Sequence, residues 1–77
     1  MRFTHDVWHA LETFLDTASD RQLAETQAKV FDLLSEPTDR ATRADLKAVY
    51  RLILDERRTR ALLAERAARP RPQPALA

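Results

Sequence analysis

Apolar positions recur along this chain with the spacing of amphipathic helices. In the first stretch Phe3, Val7, Leu11, Phe14 and Ala18 fall on one stripe when each residue advances by about 100°, with Trp8 and Leu15 on its flanks. Thr4 is a good N-cap, Asp6 places a negative charge in the first turn, and Phe3 with Trp8 has the spacing of a hydrophobic staple. A second stripe of Leu23, Gln27, Val30 and Leu34 is widened by Phe31 and Leu33. It follows Ser19 and Gln22, which have capping-box spacing, and Ala18 with Leu23, which can form a weaker staple. Pro37 disfavours helical geometry at Glu36 and has no N–H to donate, so this helix should stop near Ser35. The short link between the two helices predicts an antiparallel hairpin.

The third stripe is Leu46, Val49, Tyr50 and Ile53, with Leu54 at its edge and Thr38 or Thr42 as the expected cap. Beyond Ile53 the pattern changes. Arg57 and Arg60 stand where the stripe would continue, only Ala61, Ala64 and Ala67 keep it apolar, and Leu62 and Leu63 point elsewhere. Asp55-Glu56-Arg57-Arg58 contains no glycine, proline or asparagine to mark a break, which favours one long helix over a fourth helix folding back. The predicted fold is therefore all-α, with helices at about 4–18, 20–35 and 40–69 in a single domain spanning 1–69. The N-terminal hairpin packs on the first half of the long third helix. The Pro/Arg segment 70–77 reads as an extended, disordered tail with polyproline character.

Composition narrows the chemistry. With 77 residues and no cysteine, neither disulfides nor thiolate zinc sites can support a core that at this size supplies only about 3–5 kcal/mol. A second copy or a docked partner remains. Glycine is absent too, which excludes phosphate-cradling loops of the Walker and dinucleotide types. No long apolar run or signal-like opening suggests a membrane, and a cytoplasmic location is expected. The two serines are explained by helix ends and both histidines lie on one helix, so no nucleophilic triad is drawn; a non-enzyme without cofactor or small-molecule substrate is expected.

Charge is divided along the chain. Met1 to Asp39 carries three basic and eight acidic residues, whereas Arg40 to Ala77 carries ten basic and four acidic ones. Lys47, Arg51, Arg58 and Arg69 fall within a sector of about 40° on a straight third helix, with Leu62 beside them. The expected partner surface is Arg51, Arg57, Arg58, Arg60, Leu62, Leu63, Arg66 and Arg69, serving a protein partner or a second copy of the chain in a regulator, adaptor or inhibitor. In a symmetric or swapped dimer the acids of the hairpin (Asp6, Glu12, Asp16, Asp20, Glu25, Asp32) could face these arginines. The alternative is nucleic-acid binding by the same arginines, including a helix-turn-helix with Asp55 to Arg66 as reading helix, although the segment before it lacks a turn signal.

His5 and His9 are four apart and face the same way on a helix, with Glu12 and Asp16 alongside. Asp6 replaces the glutamate of the zinc-protease pattern and no distal third ligand follows, so the face is read as solvated and the metal assignment is none. Calorimetric titration of dialysed protein should show no stoichiometric zinc uptake in the micromolar range; uptake that His9→Ala abolishes would contradict that reading.

Overall fold

Three consecutive helices, α1 (His5–Thr17), α2 (Asp20–Leu34) and α3 (Arg40–Ala68), make up the computed structural model, which describes residues 3–69. The expected all-α fold with a hairpin on a long third helix is what forms; the proline-rich segment lies outside the described residues. Two starts follow the local rules. The Thr4 hydroxyl accepts from the Val7 N–H at 3.3 Å, and Ser19 and Gln22 complete a capping box, their side chains each accepting the other's backbone N–H. The third start differs from expectation. Asp39, not Thr38 or Thr42, is the N-cap of α3; its carboxylate accepts both the Thr42 N–H and the Thr42 hydroxyl, so Thr42 supports the cap from inside the helix.

Long-range hydrogen bonds set the directions of the helices. The Phe3 N–H reaches Asp45 and the Leu15 carbonyl reaches Arg60, so α1 runs parallel to α3. Asp20 meets Arg60, Gln27 meets Tyr50 and the Leu34 carbonyl meets Arg43, so α2 runs antiparallel to α3. The result is an up-down-up bundle in which α2 makes the closest backbone approach to α3. α1 is held through larger side chains: Phe3, Trp8, Leu11 and Phe14 pack around the core, and the Phe3 and Trp8 rings meet at 5.7 Å as the expected staple.

The core consists of Leu15, Ala18, Leu23, Val30, Leu46, Val49 and Ile53, with Leu23 and Ile53 fully enclosed. On α1 the buried stripe is rotated from the sequence expectation. Leu15, assigned to a flank, is buried, while Val7 is 45% exposed. On α2, Phe31 and Leu33 stay exposed rather than widening the core, although the Phe31 ring lies 6.2 Å from Tyr50 of α3.

Contact between hairpin and α3 persists to Arg60, further than the apolar stripe alone would carry it. α3 is continuous through residues 55–58, and its last eight residues, 61–68, are all exposed beyond that point. With 29 residues at 1.5 Å each, α3 is about 43 Å long, roughly twice the length of α2.

Ile53 and Leu23 fill the centre of the contact between α2 and α3. Ile53→Ala should cost about 2–5 kcal/mol, comparable with the whole stability of a core this small, while Val7→Ala should cost much less. Urea unfolding followed by circular dichroism checks both, and equal effects would contradict the observed rotation of the α1 stripe.

Candidate interaction surface on helix 3

The arginines of α3 divide by the fold into two sets. Arg43, Arg57 and Arg60 turn toward the hairpin. The Arg60 guanidinium donates to the Ala18 carbonyl at 2.6 Å, the Leu15 carbonyl at 2.9 Å, Asp20 at 3.0 Å and Glu56 at 3.1 Å. Its partners therefore come from α1, the α1–α2 link, the first turn of α2 and α3 itself. The hydrogen bond that Arg60 donates to Asp20, with Glu56 adding to it, raises the pKa of Arg60 above its ordinary value against the opposing effect of desolvation. Arg43 acts similarly at the other end, donating to the Leu34 carbonyl at 3.0 Å and the Glu36 carbonyl at 3.3 Å. Arg57 donates to Gln27, whose amide in turn donates to the Tyr50 hydroxyl at 3.4 Å.

Both carbonyl-binding arginines answer the same shortage. A helix leaves its last carbonyls without intrahelical donors, and the common remedy is a residue in left-handed geometry just past the end, usually glycine. This chain has no glycine, and no described residue has positive φ. Neither α1 nor α2 carries a basic residue in its last turn. Arg60 and Arg43 supply both the donors and the positive charge from α3, where the helix dipoles of α1 and α2 end.

The second set points outward. Arg51, Arg58 and Arg66 are exposed and have no ion pair among the described residues, and the same holds for Arg40 and Lys47. Arg69 pairs with Glu65 at 3.5 Å on the surface. Leu62 and Leu63 lie beyond the end of the hairpin at 57% and 59% exposure. Of the expected partner surface, then, Arg51, Arg58, Leu62, Leu63, Arg66 and Arg69 are accessible, while Arg57 and Arg60 are engaged within the chain. Asp20, offered above as an acid for another subunit, is occupied by Arg60 of its own chain, with most of its side chain still in solvent.

Two features of this face escaped the sequence reading. A shallow depression of about 450 Å³ is lined by Ala44, Lys47, Ala48, Arg51, Leu52 and Asp55, and a second, near 440 Å³, lies on the other side of the same cationic ridge, between Tyr50, Leu54 and Arg58. The alternation of small and long side chains along one helix face was the available signal. The helix-turn-helix reading does not survive, because α3 passes through residues 53–55 without a turn. His5 and His9 are exposed, and among the described residues no three His, Cys, Asp or Glu side chains converge on a metal position. No described helix is long and apolar enough to cross a membrane.

Arg60→Ala should lower the urea midpoint clearly more than Arg58→Ala, with Arg60→Lys intermediate because one ammonium cannot reach every acceptor of the guanidinium fork. Equal midpoints for the Arg60 and Arg58 variants would contradict the division into inward and outward arginines. Comparison of the chain with protein-family models, curated proteins and solved structures found no match, which leaves the geometry of α3 as the ground for a functional reading.

Proposed function

We propose that this protein is a small, non-enzymatic, cytoplasmic interaction module, a regulator, adaptor or inhibitor, that binds a second copy of itself or a larger protein through the end of α3. One observation carries the reading: α3 runs two turns past the last hairpin contact, and every residue from 61 to 69 is exposed, including Leu62 and Leu63. A helix end of this kind gains nothing from the intramolecular core. Both leucines are more than half exposed, and Leu62 shares a hollow with Glu65, Arg66 and Arg69, an apolar residue within a charged rim as in protein interfaces. Apolar burial would supply the affinity and the arginines the orientation, since exposed ion pairs are worth only about 0–1 kcal/mol each.

Light scattering at low and high salt tests this reading. A dimer built on the leucines should persist in high salt, and Leu62→Asp/Leu63→Asp should reduce it to monomer while circular dichroism stays unchanged. Monomeric wild-type protein at every concentration would assign the leucines to a larger partner, and a double variant that keeps full dimer mass would contradict their role.

A further inference from the structure

The outward face of α3 between Arg40 and Arg58 is a second surface, distinct from the leucine end, and we infer that it binds the sugar-phosphate backbone of duplex DNA without reading sequence. Its charge is segregated by the fold. Arg43 and Arg60 are drawn inward to the hairpin, Arg57 is exposed but bonded to Gln27, and the outward face carries Arg40, Lys47, Arg51 and Arg58, all exposed and without an ion pair among the described residues. Lys47 and Arg58 are eleven residues apart, three helical turns, and therefore stand in line about 16 Å apart, with Arg51 between them. The hairpin's acids do not neutralise this row. Asp6, Glu12 and Asp16 are exposed on α1, which contains no lysine or arginine, and Asp20 is already bonded to Arg60.

Several details favour phosphate over other anionic partners. Three of the four cations are arginines, whose planar forks match phosphate oxygens. The small side chains of Ala44 and Ala48 line the 450 Å³ depression beside Lys47 and Arg51, so a bulky backbone can approach the helix closely. The only aromatic of α3, Tyr50, lines the depression on one side of the ridge, but its ring meets Phe31 of α2 and its hydroxyl accepts from Gln27, so it is not presented as a stacking face. Single-stranded nucleic acid needs a stacking platform, and protein hot spots need aromatic anchors, so the ridge suits neither as well as a duplex. The ridge also lacks asparagine, the residue suited to adenine edges, and contacts limited to phosphates position a duplex without specifying its sequence. Asp55, exposed in the middle of the row, is the one feature that opposes an anion.

The test is fluorescence anisotropy with a labelled 20-base-pair duplex and the matching single strand. With three or four phosphate contacts the log–log salt slope should be about −2.7 to −3.6, which weakens binding roughly 40- to 150-fold between 50 and 200 mM salt. Lys47→Gln/Arg51→Gln/Arg58→Gln should abolish duplex binding with the helical circular-dichroism signal retained. Arg21→Gln/Lys29→Gln on α2 should leave binding in place, and Asp55→Asn should tighten it. Leu62→Gln/Leu63→Gln should still bind the duplex, which separates this surface from the association end whatever the outcome there. No anisotropy change at 50 mM salt, stronger binding to the single strand, or undiminished binding by the triple variant overturns the inference.

Discussion

The Arg60 guanidinium ties this fold together. Besides Glu56 one turn back on α3, it gathers three groups distant in sequence: the Leu15 carbonyl of α1, the Ala18 carbonyl of the α1–α2 link and the Asp20 carboxylate at the start of α2. The bond pattern fixes the register of all three helices at one end of the bundle, as Arg43 fixes α2 against α3 at the other. Between these two arginines lies the apolar core; beyond Arg60 α3 has no cover. A chain without glycine cannot close its helices by the usual left-handed cap, so it closes them from the neighbouring helix. Helix termination and tertiary packing thereby become one interaction, and the bundle gains specificity of arrangement from groups that a larger protein would satisfy locally.

The same interaction shapes the functional surface. Drawing Arg43 and Arg60 inward removes them from the set available to a partner and leaves the outward cations in a row with few acids between them. It also sets where cover stops. α3 remains helical for eight residues after Arg60, and the leucines there are exposed because the α1–α2 link, which Arg60 holds, is the last part of the hairpin that α3 passes. Interior bonding and surface display are thus two results of one helix register.

What could be read in the sequence was what is decided within a few residues. Thr4 and the Ser19/Gln22 box were legible because a cap needs only its own first turn, and the end of α2 was legible because Pro37 acts on its neighbour. The continuity of α3 was legible from the absence of any breaker between Asp55 and Arg58. Asp39 was missed because two threonines competed with it at equally suitable positions. The roles of Arg60 and Arg43 were not legible for a different reason. Three of the four Arg60 acceptors lie 40 to 45 residues away on the hairpin, and only the packed register of three helices brings them within reach. The rotation of the α1 stripe toward Leu15 has the same origin, since α1 must face the groove between α2 and α3 rather than one helix alone.

The central claim is that Arg60 marks the boundary between a locked and an uncovered part of one continuous helix. Residue-resolved amide hydrogen exchange along α3, at a concentration where the protein is monomeric, tests it most directly. Protection should be high from Val49 to about Arg60 and fall steeply from Ala61 to Arg69. Protection that instead collapses at residues 55–58, or that stays uniform to the end of the helix, would contradict the account.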